Sequence, residues 1–197
     1  MLDTCELTGV LVTERLHARS QRCPDYRMEA TSLHKLLRSM ADDPSNGLQK
    51  VVDLALEVCR AGTGGISLLE KQPNGTTLFR WTHLSGELKR FVGGSTPRNH
   101  SPCGVTLNAG RPQLFYWPGR YFEYFREVDP PIVEGLVVPI VAIGRHLGTL
   151  WVVSHNEDEG FDMEDARIMG ALANFAALAH LLWARTCSGQ PATSTAR

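Results

Sequence analysis

The sequence predicts an α+β domain whose antiparallel sheet is covered by helices on one face and by a loop-rich pocket on the other. Three observations carry this prediction. Apolar residues recur at helical spacing near both ends of the 197-residue chain. Two pairs of strand-like runs lie between those ends, and the irregular segment 93–135 separates the pairs. That segment is longer than a structural connection needs, and long connections usually cover a binding site.

Two amphipathic helices are predicted at the start of the domain. The first spans about residues 28–41 and ends at the turn sequence DDPSNG. The second follows at once, with Ser45 as its expected N-cap and Gly62 as its left-handed end. Its apolar face consists of Leu48, Val51, Val52, Ala55, Val58 and Cys59. Residues 1–27 lack sustained periodicity, so they are predicted to form a leader or arm, partly disordered unless a partner orders it.

Two hairpins are predicted next. In the stretch GGISLLEKQPNGTTLFRWTHL, the turn sequence is Pro73-Asn74-Gly75. After it, two sets of side chains alternate, as in a strand: Leu78, Arg80 and Thr82 with Phe79, Trp81 and His83. The stretch EGLVVPIVAIGRHLGTLWVVSH contains two almost continuously apolar runs joined at Gly144-Arg145-His146. Runs that are apolar on both faces are typical of central strands. The second hairpin is therefore expected in the middle of the sheet.

A long helix is predicted to close the domain. Asp162 is its expected N-cap, and Asp165 adds a carboxylate that suits the helix dipole. Heptad spacing is found at Ile168, Leu172, Phe175, Ala179 and Leu182. Such spacing is typical of a helix that packs on another helix. This pattern favours a helical homodimer seam. The domain is expected to span 28–186, with its core at 47–185 and a disordered tail at 187–197.

Charge and cysteine usage limit the partners and the location of the protein. The net charge is −1 and no run of like charges forms a basic face, which argues against nucleic acid and membrane surfaces as partners. Neither a membrane span nor a secretory signal is evident. The five cysteines lack CxxC spacing, which argues for free thiols in a reducing compartment and against a zinc site. A cytoplasmic location is expected.

Three stretches resemble parts of the GAF domain, a small-molecule sensing module of signalling proteins. They are SPCGVTLNAGRPQLF, the central strands VEGLVVPIVAIGRHLGTLWVVSH, and the closing helix FDMEDARIMGALANFAALA. The resemblance, closest to GAF domains of proteobacterial signalling and two-component proteins, runs from Leu48 to about Trp183. It implies roughly six antiparallel strands, helices that pack into a dimer on one side, and a pocket under the middle segment. It selects no ligand, because GAF domains bind cyclic nucleotides, bilins, haem, small metabolites or nothing.

Bilin or haem sensing is one alternative function. GAF domains that attach a bilin usually do so through a cysteine followed by histidine, whereas the corresponding stretch REVDPPIVEG has no cysteine. A covalently bound cofactor is therefore not expected. Haem would need a histidine above an apolar pocket. The candidates by position are His83, His100, His146 and His155, and no histidine pair has metal-ligand spacing.

Cys103 is the candidate for thiol chemistry. Cys103-Gly104 resembles the pair that opens the corresponding helix of free methionine-R-sulfoxide reductases, which are GAF enzymes with a cysteine nucleophile. A helix N-terminus lowers the pKa of a thiol, and Arg98 or His100 would help. These enzymes also use a second cysteine after the helix, and YWPGRYFEYFREVDPPIVEG supplies none. A reductase-like enzyme, a redox sensor and a small buried thiol all remain open for Cys103.

Noncovalent binding of a small molecule is the function that the middle segment favours. Aromatic residues cluster within 115–125 and are interleaved with Arg111, Arg120 and Arg126, which suits a planar or acidic metabolite. An equal alternative is that the rings only close a core under the loop. The polar end of a ligand is expected at Arg98, His100 and the N-terminus of the following helix. The predicted ligand-binding residues are Arg98, His100, Cys103, Phe115, Trp117, Tyr121 and Trp151.

The sequence thus predicts a sensory or regulatory domain that binds a small molecule and signals through a helix-mediated homodimer. No catalytic residue is expected unless Cys103 performs thiol chemistry, and no metal ligand is expected. No kinase, cyclase or DNA-binding pattern follows Ala184, so the domain is expected to act in trans on a partner protein or within a longer signalling architecture. A purely structural dimerisation module with an occluded pocket is the remaining alternative.

Overall fold

A computed structural model describes residues 5–188 and places six strands in one antiparallel sheet. The strands are β1 (Thr63–Lys71), β2 (Thr77–Gly86), β3 (Ser95–Pro97), β4 (Gln113–Tyr116), β5 (Glu134–Ala142) and β6 (Arg145–Ser154). Their order across the sheet is β3-β2-β1-β6-β5-β4. Both predicted hairpins, β1–β2 and β5–β6, are confirmed, and β6 lies at the centre of the sheet as its apolar sequence indicates.

Five α-helices accompany the sheet. They are α1 (Arg15–Ala18), α2 (Tyr26–Asp42), α3 (Gly47–Val58), α4 (Pro102–Ala109) and α5 (Met163–Ser188). Helices α3 and α5 pack on the sheet and α2 packs on α3, whereas α4 packs on the opposite face against β4, β5 and β6. The α+β architecture predicted from the sequence is therefore confirmed.

Both faces of the sheet are buried, in two separate apolar clusters. On β5, Leu136, Val138 and Ile140 point into the cluster under the helices. Val137, between them, points into the cluster on the opposite face. Because successive side chains of a strand alternate between faces, one apolar run supplies both cores.

The helix boundaries differ from the sequence prediction at α3. Ser45 does not cap this helix: its hydroxyl bonds to Asp43 Oδ1 at 2.5 Å, and a short 3-10 turn leads into α3 at Gly47. The left-handed residue after the helix is Arg60, with φ +52°, and not Gly62. Gly62 instead donates its N–H to Val153 O on β6 at 3.0 Å, so its backbone already pairs with the sheet just before β1 begins.

The start of α5 confirms the predicted cap. Asp162 Oδ1 accepts hydrogen bonds from the N–H groups of Glu164 (2.8 Å) and Asp165 (3.0 Å). Asp165 Oδ2 in turn accepts the N–H of Asp162 at 3.0 Å. Two carboxylates therefore satisfy three backbone donors that the helix itself leaves unpaired.

The heptad residues of α5 face mainly their own domain. Leu172 and Ala179 are each 1% exposed within the helix-side core, and Ile168 and Phe175 pack against that core. This spacing therefore serves packing within one chain, which corrects the prediction that all these residues form a dimer seam. Leu182 remains 37% exposed. The predicted tail begins inside the last turn of α5, and residues 189–197 lie outside the described part of the chain.

Helix α5 is also long and apolar enough, by length and composition, to cross a membrane between Met163 and Arg185. This corrects the expectation that no stretch reaches such a length. Met169, Leu172 and Ala176 are nevertheless buried in the helix-side core. A core helix of a globular domain meets the same criteria, so this helix is weak evidence for a membrane span.

The arm before α2 lies along the free edge of β4. Val12 donates its N–H to Leu114 O at 2.8 Å, and Tyr116 donates to Val10 O at 2.8 Å. Val10 joins the pocket-side cluster, whereas Val12 joins the helix-side cluster. The arm therefore covers an edge that would otherwise present unpaired backbone groups.

Two arginines fasten the end of the arm to buried carboxylates. Arg19 binds Glu134, which is 1% exposed, through two hydrogen bonds of 2.6 and 2.8 Å, and also donates to Phe161 O at 2.7 Å. Arg22 Nη2 lies 2.7 Å from Asp165 Oδ1, and its backbone N–H donates to Asp162 Oδ2 at 2.8 Å. Burial raises the pKa of Asp165 to about 6, although a backbone hydrogen bond and the Arg22 charge oppose this effect.

Replacing Arg19 by alanine is expected to destabilise the protein by about 3 kcal/mol, because it leaves the Glu134 carboxylate buried without its charged partner. Urea unfolding followed by circular dichroism measures this difference. Arg38→Ala, on the exposed surface of α2, is the control and is expected to change the free energy of unfolding by about 0.5 kcal/mol or less. Equal stability of Arg19→Ala and the wild type would show that the Arg19–Glu134 ion pair does not hold the arm.

Candidate functional site

A cavity lies between the pocket-side face of the sheet, helix α4 and the segment 117–133 that connects β4 to β5. Its free volume is about 50 Å³. The space between its atoms reaches about 560 Å³ when the solvent at its open mouth is included. Its lining is Trp81, Leu84, Leu88, Thr96, Pro102, Cys103, Phe115, Pro118, Phe125, Ile132, Gly135, Val137, Trp151 and Val153.

Aromatic side chains form the walls of the cavity. Trp81 on β2 stacks on Phe125 of the connecting segment with ring centroids 6.3 Å apart, and meets Trp151 edge-on at 6.2 Å. The indole N–H of Trp151 donates to Ser67 Oγ at 2.8 Å. Its ring covers Gly65 so closely that a Cβ there would lie 2.4 Å from the ring. The orientation of Trp151 is therefore fixed by β1.

Helix α4 presents its first turn to the cavity. Ser101 caps it, because its Oγ accepts the N–H of Gly104 at 3.1 Å, and Pro102 and Cys103 then line the cavity. A Cβ on Gly104 would lie 2.1 Å from Arg98 O, so only glycine allows the preceding loop to fold back on the helix. Because the N–H of Gly104 is bonded to Ser101 Oγ, it is not free to bind a ligand.

Three of the predicted site residues come together in the cavity: Cys103, Phe115 and Trp151. Arg98 does not line it, since its guanidinium donates to Gly104 O at 3.3 Å and to Asn108 Oδ1 at 2.8 Å. His100 is exposed and packs outside, with its ring 5.2 Å from that of Tyr121. The structure thus separates the expected polar end of the ligand from the apolar cavity.

The other two predicted aromatics also lie outside the lining. Trp117 is held in a left-handed conformation, with φ +47°, and its N–H donates to Val133 O at 2.7 Å. Tyr121 packs edge-on against Phe122, with centroids 4.9 Å apart. Phe122 is fully buried. Tyr121 and Phe122 thus help to close the pocket-side core, as the alternative interpretation of the aromatic cluster holds.

Sequence reasoning missed Thr96 as a lining residue. It lies on the short strand β3, where it pairs with Phe79 on β2 and therefore points to the same face of the sheet. It is 3% exposed, and its Oγ1 has no hydrogen-bond partner within residues 5–188. A three-residue strand has too little alternation to be recognised in a sequence.

The histidines do not offer a metal site. None of the four haem candidates lines the cavity. His155, for example, contacts Thr63 Oγ1 at 2.9 Å and Pro131 O at 2.8 Å, which ties the end of β6 to the start of β1 and to the segment 117–133. Within the described chain, no group of three or more His, Cys, Asp or Glu side chains is arranged to hold a metal ion.

A family model described as "GAF domain" matches residues 41–179, which is more than half of the chain. The chain belongs to the GAF domain family. A search of curated proteins gave no significant match. Among solved structures, the GAF domain of a phosphoenolpyruvate-protein phosphotransferase from Coxiella burnetii is similar, with a TM-score of 0.67 and 18% identity over 85% of this chain and 100% of that one. The corresponding Acinetobacter domain gives 0.66 and 13% over 84% and 98%.

A free methionine-R-sulfoxide reductase from Neisseria meningitidis, solved with its substrate, is also similar to this GAF domain. Its TM-score is 0.67 and its identity is 16%, over 85% of this chain and 97% of that one. At this identity the similarity establishes a shared fold. Whether the chain shares the chemistry therefore depends on its own residues.

The surroundings of Cys103 disfavour a reactive thiolate. Burial raises the pKa of the Cys103 thiol, and nearby hydroxyls of Thr149 and Ser67 and the Arg98 charge oppose this only in part. The side chain is 6% exposed. Because the thiolate is the nucleophilic form, burial and a raised pKa both disfavour reaction of this thiol at neutral pH.

Alkylation of the native GAF domain with iodoacetamide at pH 8 is expected to modify Cys23 much faster than Cys103, because Cys23 is exposed and Cys103 is buried. Mass spectrometry of the peptides measures both rates in one sample. Cys59, buried in the helix-side core, is the matched control and is expected to react as slowly as Cys103 until the protein is unfolded. Fast modification of Cys103 alone would point to an activated thiol.

Proposed function

We propose that this GAF domain binds a small molecule noncovalently in the cavity and signals through a helix-mediated homodimer. The observation that carries the proposal is the cavity itself, which lies between the sheet and α4 and is walled by aromatic residues. Concave sites lined mainly by apolar and aromatic side chains are the usual form of small-molecule sites. The family to which the chain belongs is generally sensory or regulatory, which agrees with this proposal.

The central strands connect the cavity to the helices. Trp151 and Val153 line the cavity, while Leu150 and Val152, their neighbours on β6, lie in the helix-side core. Helix α5 packs on β5 and β6. A ligand that shifts Trp151 therefore acts on a strand that α5 contacts directly, and close packing transmits such a shift.

Exposed apolar residues on the helix layer are the proposed homodimer surface. Leu178 and Leu182 are 42% and 37% exposed on α5. Tyr26, Met28 and Leu37 are likewise exposed on α2. Residues four apart on a helix share one face, so Leu178 and Leu182 form a patch that a second copy of the chain would cover.

The other functions suggested by the sequence have less support. A thiol enzyme or redox sensor would need a reactive Cys103, and this side chain is buried. Bilin or haem binding would need more space, or a histidine in the cavity lining. We further propose that the domain acts on a partner protein in trans in the cytoplasm. A purely structural module is the outcome if no molecule enters the cavity.

Filling the cavity is expected to expel its ligand. Val137→Phe places a ring in the cavity, and mass spectrometry of small molecules released from freshly purified protein is expected to show a compound in the wild type that this variant lacks. Overpacking costs about 1–3 kcal/mol, so thermal unfolding must first confirm that the variant is folded. Val141→Phe, on the same strand but 40% exposed, is the control and should retain the compound. Identical released molecules in all three proteins would contradict a binding role for the cavity.

The dimer is expected to depend on the exposed patch of α5. Light scattering should give twice the 21.8 kDa chain mass for the wild type and the chain mass itself for Leu178→Glu/Leu182→Glu, because paired glutamates at an apolar contact repel each other and lose water. Ile143→Glu, at the 87% exposed tip of the β5–β6 hairpin, should remain dimeric. A monomeric wild type, or a dimeric double variant, would refute this arrangement.

A further inference from the structure

We infer that the cavity takes a small, uncharged aromatic molecule that carries one hydrogen-bonding group, and that this group pairs with Thr96. The inference rests on the proposed function and specifies the ligand of the same site. It keeps the planar and drops the acidic alternative of the sequence expectation, because no cationic side chain lines the cavity.

The lining excludes a charged ligand. It contains no Asp, Glu, Lys, Arg or His, so an ion inside the cavity would lose its water without gaining a partner of opposite charge. Arg98, four residues before α4, is already bonded to Gly104 O and Asn108 Oδ1. The N–H of Gly104 at the start of α4 is bonded to Ser101 Oγ. Neither is available to an anion.

The walls favour a ring over an aliphatic chain. Trp81 and Trp151 present two ring surfaces inclined at 62°, and Phe125 and Phe115 add further rings to the lining. Aromatic rings prefer offset-stacked and edge-to-face contacts, and an inclined pair provides both to one ring. Because Trp151 Nε1 is bonded to Ser67, its ring offers carbon atoms rather than a donor.

Thr96 supplies the one polar contact. Its side chain lines the cavity and is 97% buried, and its Oγ1 lacks a hydrogen-bond partner in the described part of the chain. Buried hydroxyls are nearly always paired, and an unpaired one is a cost that a ligand group can remove. A hydroxyl can both donate and accept, so either a ligand O–H or N–H or a ligand oxygen would satisfy it.

The connecting segment sets the size limit. The free space of about 50 Å³ is smaller than the cavity of about 150 Å³ that holds benzene in another protein. A single ring therefore enters only when the segment that carries Phe125 moves outward. Tyr124 Oη, bonded to His100 O at 3.1 Å, and Arg90, bonded to Asp129 O, hold that segment. Outward movement of this segment therefore disrupts these hydrogen bonds and the stacking of Phe125 on Trp81.

Isothermal titration of the full chain at pH 7 with phenol, toluene and benzoate tests the ligand class. Phenol, whose hydroxyl stays neutral at this pH, is expected to bind about tenfold or more tightly than benzoate, which has the same ring and a negative charge. Val137→Phe is expected to abolish phenol binding, and Val141→Phe to preserve it. Benzoate binding that exceeds phenol binding and is lost in Val137→Phe would overturn the ligand class while leaving the proposed function intact.

Two substitutions of Thr96 test the polar contact. Thr96→Val keeps the shape but removes the hydroxyl, so phenol affinity should fall about fivefold while toluene affinity stays within about twofold. Thr96→Ser keeps the hydroxyl and should retain phenol binding, which separates a hydrogen bond from a packing effect. Equal phenol affinity in Thr96→Val and the wild type would overturn the role of Thr96. If neither phenol nor toluene binds, the inference fails, and the molecules released from purified protein decide the proposed function separately.

Discussion

Burial of the sheet on both faces is the constraint on which the structure depends. Strands β5 and β6 are apolar at successive positions, so each strand must be covered twice. Helices α3 and α5 provide one cover, and their cluster is filled by small and branched side chains such as Ala176 and Val152. Helix α4 and the segment 117–133 provide the other, whose cluster includes the rings of Phe79, Phe115 and Phe122. The cavity lies on this second side.

Buried charge fixes how the first and last parts of the domain meet. Glu134 begins β5, and Asp162 and Asp165 begin α5, so three carboxylates are brought together where the sheet passes into the closing helix. Arg19 and Arg22 neutralise this group from an arm that is far away in sequence. Removing either arginine would leave a carboxylate in a low-dielectric setting, where its cost is largest. The arm is therefore a structural part of the domain.

Cys103 illustrates how one fold supports different chemistry. A cysteine in the first turn of α4 benefits from the helix dipole, but burial in an apolar cavity acts in the opposite direction and dominates the pKa. Trp151 and Val137 line the same cavity as Cys103, so the thiol lies among apolar side chains. Burial, more than the position at the helix N-terminus, therefore decides the character of this thiol.

Local patterns in the sequence determined the two hairpins and the capped start of α5, because turns, caps and apolar periodicity act over a few residues. They also indicated Cys103, Phe115 and Trp151 as residues near a pocket. Only the tertiary structure decided that Thr96 lines the cavity, that Arg98 and His100 do not, and that Arg19 meets Glu134. The direction of a side chain on a three-residue strand depends on its register with β2, and a salt bridge between positions 115 residues apart depends on the path of the whole chain. The apolar character of the cavity lining was therefore decided by where the fold places the arginines, which no local pattern encodes.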